Sequence, residues 1–118
     1  MKRCIILPLL ALILVILACG SEVSTPSQYA VTYRVTGDIA RASLTYETAD
    51  GSTEQRTVNV PWEAKFTVEG GQFLYLSAQN EENRGIITAE ILLDGKEWKK
   101  ATSDGAYVIA TVSGRIGE

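Results

Sequence analysis

The chain has 118 residues, of which 46% are hydrophobic, so it is long enough for one globular domain and too short for two of ordinary size. Its formal charge is -3, and setting aside Lys2 and Arg3 leaves nine basic against 14 acidic residues, which excludes the basic surface that nucleic-acid binding requires. The sequence contains no histidine, which excludes histidine-based catalysis and histidine-ligated zinc.

The first segment has the features of an exported precursor. Met1-Lys2-Arg3 is basic, residues 5–18 form an apolar run interrupted only by Pro8, and Cys19 follows a small residue. A basic start, an apolar stretch and a small residue before a cleavage point are typical of a secretory signal peptide. Because a cysteine follows that point, the segment resembles a bacterial lipobox. The resemblance implies a lipoprotein signal peptide over residues 1–18 and acylation of Cys19, whose acyl chains anchor the protein to a membrane.

An uncleaved transmembrane helix is the alternative interpretation of this segment. A helical span needs about 20 apolar residues, and the apolar run is shorter and contains Pro8. We therefore prefer a lipid-anchored protein on the extracytoplasmic face of the cell membrane or envelope. The exported part would then contain Cys19 as its only cysteine and could form no internal disulfide.

Residues 19–28 hold the lipidated cysteine and a flexible tether of small polar residues with one proline. From residue 29 to residue 118, apolar and polar side chains alternate with a period of two, which is typical of antiparallel strands with one wet face. Asp-Gly pairs at 50–51, 94–95 and 104–105 separate these runs and suit tight turns. About eight short strands predict a two-layer antiparallel β-sandwich, with the lysine-rich segment 96–103 as an edge strand.

Six segments in a fixed order resemble a known family. They are residues 31–38, residues 42–51, the Pro-Trp pair at 61–62, the Leu-Ser-Ala-Gln segment at 76–79, residues 91–95 and residues 105–107. Together they resemble the extracytoplasmic domain of the mycobacterial membrane protein small (MmpS) family. The resemblance covers about residues 30–112. It implies an immunoglobulin-like β-sandwich of seven to eight strands and an accessory role beside RND-type lipid or siderophore exporters.

This chain departs from the family pattern at its start and at one residue pair. Family members hold a transmembrane helix where this chain resembles a lipoprotein. They also carry a cysteine pair, which corresponds here to Ala89 and Val112. The resemblance implies that these two small apolar residues lie opposite each other on neighbouring strands and face the core.

The alternation also predicts apolar side chains on the wet faces. If Leu74 and Leu76 face the core, the rings beside them in the sequence face outward. In the same way, if Ala89 and Val112 face the core, the alternation places Leu92, Tyr107 and Ile109 on the outer faces. The predicted partner interface consists of Phe73, Tyr75, Leu92, Tyr107 and Ile109. Contiguous exposed apolar surface often marks an interface. Two alternatives would leave these side chains without a partner protein. Loops or the tether could cover them, or the segment 86–93 could be a central strand that is buried on both sides.

Other candidate sites have simpler interpretations. Trp62 continues a core row, so we expect it to pack, although a partner-binding anchor is the alternative. The loop 80–83 holds two adjacent carboxylates, but the spacing of a calcium loop is absent, so we expect these carboxylates to be solvated and predict no metal site. We predict a non-enzymatic protein with no catalytic residues and no cofactor, which docks on a membrane partner. The alternative is a β-sandwich that binds a small molecule, a lipid or a glycan.

Overall fold

The computed structural model describes residues 27–117, so the predicted signal peptide and Cys19 lie outside the described residues. Within this range the chain forms eight β-strands and no helix. The strands are β1 (Gln28–Gly37), β2 (Arg41–Glu47), β3 (Thr53–Asn59), β4 (Trp62–Glu69), β5 (Phe73–Asn80), β6 (Ile86–Leu93), β7 (Lys96–Asp104) and β8 (Ile109–Arg115). The first strand begins at the last residue of the predicted tether. A search of residues 27–117 finds no helix that could span a membrane.

The strands form two antiparallel sheets of four strands each. Sheet 1 has the order β4-β1-β6-β7, and sheet 2 has the order β3-β2-β5-β8. The predicted two-layer antiparallel β-sandwich is therefore confirmed. The lysine-rich segment forms β7 at the edge of sheet 1, as the sequence predicts.

The alternation of apolar residues places one row of each strand in the core between the sheets. Val31, Tyr33 and Val35 of β1 are buried, as are Leu74 and Leu76 of β5. The ring of Tyr33 packs edge-on against Phe66 and Tyr46, with ring centroids 5.0 and 5.8 Å away. Its hydroxyl donates a hydrogen bond to the backbone oxygen of Glu47 at 2.8 Å. A single aromatic side chain thus joins both sheets at the centre of the core.

One of the Asp-Gly pairs forms the predicted tight turn, and another does not. Asp94 and Gly95 have φ angles of 50° and 82°, which is the geometry of a two-residue hairpin turn. The pair at 104–105, in contrast, begins a longer connection that carries the chain from sheet 1 to sheet 2. The last strand consequently begins at Ile109, and Tyr107 lies in a loop.

The expected pairing of Ala89 with Val112 is wrong. Ala89 pairs with Val35 and Ala101 within sheet 1, whereas Val112 pairs with Leu76 within sheet 2. Both residues are buried and face the core. They belong to different sheets because the connection from β7 to β8 crosses between the layers. Neighbouring strands therefore do not carry this pair.

Candidate functional site

The two ends of the sandwich differ in their surface. The near end is the end at which β1 begins and β8 ends. There the backbone N–H of Gly70 donates to the oxygen of Ser27 at 2.9 Å. At the far end lie four connections, namely 38–40, 60–61, 81–85 and 105–108. Because all strand pairs are antiparallel, these four connections meet at one end.

The structure divides the predicted interface between these ends. Phe73 pairs with Arg115 at the near end of sheet 2, and its ring lies 5.8 Å from the guanidinium carbon. Ile109 pairs with Gln79 at the far end of the same two strands. Gln79 lies six positions beyond Phe73 along β5, a distance of about 20 Å. Phe73 and Ile109 therefore do not belong to one continuous patch.

The middle of the outer face of sheet 2 is polar. Tyr75 is half-buried and pairs with Ser113 beside Phe73. Farther along, the hydroxyls of Ser77 and Thr111 lie 3.0 Å apart across the two strands. This hydrogen-bonded pair separates the aromatic residues of the near end from the apolar residues of the far end.

Leu92 was predicted to be exposed, and this prediction is wrong. It lies on the outer side of sheet 1, opposite Thr32, but only 8% of it is exposed. A register shift between Ile91 and Leu92 places it opposite Glu97, with a bulge in the neighbouring strand. Strand β6 is central in its sheet, so neighbours flank Leu92 on both sides. Leu92 therefore fits the alternative prediction, in which the segment 86–93 is a central strand that is buried on both sides.

Exposed apolar side chains concentrate at the far end. Among the described residues, the exposed large hydrophobic side chains are Phe73, Ile86, Tyr107 and Ile109. Three of these four belong to the far end, where Ile86 begins β6, Tyr107 lies in the β7–β8 connection and Ile109 begins β8. Sequence reasoning missed Ile86 because it begins an apolar run whose following residues are mostly buried. Only its position as the first residue of the strand exposes it.

A buried asparagine joins the far-end loops. Asn80 is fully buried, and its Nδ2 donates to the backbone oxygens of Arg84 and Gly105 at 2.9 and 3.0 Å. Its Oδ1 accepts from the backbone N–H of Glu82 at 2.8 Å. This amide thus satisfies backbone groups of two loops at once.

Two carboxylates of the far end also serve the backbone. Glu82 Oε2 accepts from the N–H of Ala40 at 2.7 Å, and Asp38 Oδ1 accepts from the N–H of Ile86 at 2.7 Å. These bonds tie the β1–β2 connection to the β5–β6 connection. No group of three or more acidic or cysteine side chains suited to a metal occurs within residues 27–117.

Tyr107 has an unusual backbone conformation. Its φ angle is 55°, a left-handed conformation that is uncommon for any residue other than glycine and asparagine. Its N–H donates to the oxygen of Glu82 at 3.0 Å, and its own oxygen accepts from Gln79 Nε2 at 3.0 Å. The side chain is 54% exposed. The loop thus holds a large aromatic ring toward solvent at a cost in backbone strain of order 1–3 kcal/mol.

A shallow depression lies beside the far end, on the outer side of sheet 1. Its volume is about 320 Å³, and it is lined by Arg34, Thr36, Pro61, Trp62 and Glu63. Arg34 Nε lies 2.8 Å from a carboxylate oxygen of Glu63. The ring of Trp62 packs against the core, with its centroid 5.4 Å from that of Tyr46, so the expected packing role is confirmed.

Comparison of the sequence with protein-family models and with curated proteins finds no match. The resemblance to the MmpS family therefore rests on the six sequence segments alone.

Proposed function

We propose that this protein is a non-enzymatic envelope lipoprotein that docks on a membrane partner through the far end of its β-sandwich. The observation that carries the proposal is the exposed ring of Tyr107, whose strained backbone conformation is held by hydrogen bonds to Glu82 of the β5–β6 connection and to Gln79 of β5. Strain of this kind persists only where the surrounding structure enforces it, and it is concentrated at functional sites. A tyrosine side chain has only two rotatable bonds, so it also loses little entropy when a partner covers it.

The composition of the far end suits a protein partner. Tyrosine provides apolar area together with a hydroxyl, and such residues dominate the binding energy of many interfaces. Ile86 and Ile109 add exposed apolar area at the same end. The resemblance to the MmpS family makes an RND-type transporter in the same membrane the first partner to test.

We expect Tyr107→Gly to weaken capture of the partner at least about tenfold without lowering the melting temperature. Loss of a hot-spot side chain costs about 2 kcal/mol or more, and about 1.4 kcal/mol is a factor of ten. Glycine adopts a positive φ without strain, so this change removes the ring and keeps the loop conformation. The measurement is co-purification from detergent-solubilised membranes, together with thermal unfolding.

Phe73→Ala is the matched control, because it removes an exposed aromatic ring from the opposite end of the same sheet. It should leave capture unchanged. If Phe73→Ala weakens capture and Tyr107→Gly does not, the docking surface lies at the near end and the proposal is wrong.

The proposed anchor predicts a clear result for Cys19. Cys19→Ala should abolish acylation and shift the protein from the membrane fraction to the soluble fraction, because the acyl chains provide the attachment. The readouts are cell fractionation and the mass of the mature chain. Cys4→Ala is the control and should change neither, since Cys4 leaves with the signal peptide. A full-length, unacylated chain in the membrane would instead support a retained helix.

The depression beside Trp62 supports a second candidate function, the binding of a small molecule or glycan. Its volume of about 320 Å³ lies at the lower end of the range for ligand pockets. A glycan that packs against Trp62 in this depression would take hydrogen bonds from Arg34, whose guanidinium is already oriented by its ion pair with Glu63. Arg34→Ala should then abolish ligand binding in titration calorimetry while partner capture persists. A lipid between the sheets is disfavoured, because buried side chains such as Tyr33 and Leu44 fill that space.

A further inference from the structure

Strand β3 is an edge strand whose second side has no partner within the described chain. It pairs with β2 on one side only. Of its seven residues only Val58 is buried. An exposed edge presents unpaired backbone N–H and C=O groups, which are a template for pairing with another strand.

The other edges carry features that discourage such pairing. Lysines on an edge strand oppose pairing with another strand, because pairing would bury or crowd their charges. A bulge opposes it as well, because it interrupts the regular hydrogen-bond ladder. The lysines are Lys96, Lys99 and Lys100 in β7 and Lys65 in β4. The ladder of β7 also contains the register shift opposite Ile91 and Leu92. Strand β8 is linked to β7 by a hydrogen bond from the Ser103 hydroxyl to the oxygen of Ile109 at 2.7 Å. Strand β3 contains neither lysine nor proline.

The sequence of β3 is complementary to itself when it is reversed. Residues 53–57 read Thr-Glu-Gln-Arg-Thr. In an antiparallel pair centred on Gln55, Glu54 of one chain lies opposite Arg56 of the other. The two-fold symmetry repeats this Glu54–Arg56 pair on the other side of the axis. The same register places Thr53 of one chain opposite Thr57 of the other, on the opposite face of the sheet. We propose that β3 pairs antiparallel with β3 of a second copy of this chain, centred on Gln55.

The same charges explain why the partner would be a second copy rather than any exposed strand. Glu54 pairs with Tyr46 and Arg56 pairs with Leu44, so both charged residues lie on the side of β3 that faces the opposite sheet. Charges on the inner side of an edge oppose pairing with an apolar strand. They favour only a strand that places the opposite charge at each position. A second β3 satisfies this condition without any further change.

Both charged side chains are accessible in the single chain. All five residues from Thr53 to Thr57 are exposed. Glu54 accepts a hydrogen bond from the Tyr46 hydroxyl at 2.9 Å, which holds one carboxylate oxygen in place. The carboxylate retains a second oxygen for the guanidinium of the other copy. The pair would join two four-stranded sheets into one continuous eight-stranded sheet with a two-fold axis perpendicular to it.

Cross-linking through Gln55 tests the central contact. The full chain carrying Gln55→Cys, expressed in its membrane, should form a covalent dimer with a short bifunctional thiol reagent, because the two-fold axis places position 55 beside itself. Thr111→Cys on β8 is the matched control, an exposed position on another edge strand, and it should remain monomeric. The parent chain reports any cross-link through its own cysteines.

Charge reversal tests the proposed specificity. Within the Gln55→Cys chain, Glu54→Arg or Arg56→Glu should each lower the dimer yield at least about fivefold, because each change places like charges opposite each other twice. The double change Glu54→Arg/Arg56→Glu should restore it. Equal yields in all four chains, or no dimer in any, would overturn the proposal. Tyr107→Gly added to the Gln55→Cys chain should leave its dimer yield unchanged, so failure of the docking proposal is distinguishable from failure of this one.

Discussion

We expect Asn80→Ala to lower the free energy of unfolding by about 2–4 kcal/mol, because it removes the three hydrogen bonds of a fully buried amide at once. The oxygens of Arg84 and Gly105 and the N–H of Glu82 would lose their partner. In urea, the midpoint should fall while the slope of the transition stays the same. Partner capture should fall as well, because the same amide holds the loop that presents Tyr107.

Asn83→Ala is the control in the same connection, since Asn83 is exposed. It should change stability by no more than about 0.5 kcal/mol. Asn80→Asp separates hydrogen bonding from packing, because a carboxylate has the same shape and cannot donate to the two backbone oxygens. If Asn80→Ala is as mild as Asn83→Ala, the buried amide does not organise the far end.

The second large effect concerns the centre of the core. Tyr33→Ala should lower the free energy of unfolding by about 3–5 kcal/mol, since it deletes a fully buried aromatic ring that contacts both sheets. Tyr33→Phe keeps the ring and loses only the hydroxyl, which donates to the oxygen of Glu47 at 2.8 Å and accepts a long bond from the N–H of Tyr75 at 3.4 Å, so about 0.5–1.5 kcal/mol is expected. The measurement is chemical denaturation of the two variants and the parent. Equal losses would show that the hydroxyl, and not the ring, contributes the stability.

The hydroxyl of Tyr33 also gives this comparison a pH dependence. Burial raises the pKa of Tyr33 from 10.0 to about 12 in the folded state. As pH rises above 10, the unfolded chain loses this proton first and is stabilised relative to the fold. Stability from this group is therefore complete below pH 10 and declines between pH 10 and 12, by up to roughly 2–3 kcal/mol. Tyr33→Phe should lack this part of the alkaline decline.

The proposed dimer and the proposed docking surface use different parts of the molecule. The paired edge lies along β3, whereas Tyr107 lies in the connection between β7 and β8. Strands β3 and β8 are at opposite edges of sheet 2, and β7 belongs to sheet 1. A dimer would therefore leave both copies of Tyr107 available, and two docking surfaces on one particle would strengthen attachment to a partner that is itself oligomeric.

The candidate site was only partly accessible from the sequence. Tyr107 and Ile109 were expected to face outward, and both are exposed at the far end. Their separation from Phe73 could not be read from strand parity, because parity assigns a face and says nothing about position along the strand. Asn80 gave no signal as a core residue, since its burial depends on two loops that are distant in sequence.

Residue alternation by itself determined the fold class, because a period of two commits each strand to one buried and one wet face before any pairing is known. The lysines of segment 96–103 determined the edge position of β7, because they oppose further pairing. Which strands share a sheet was decided only in three dimensions. Ala89 and Val112 look alike in the sequence, yet the crossing from β7 to β8 places them in opposite layers. The bulge beside Leu92 and the left-handed turn at Tyr107 are likewise set by tertiary contacts, because local residue preferences favour neither.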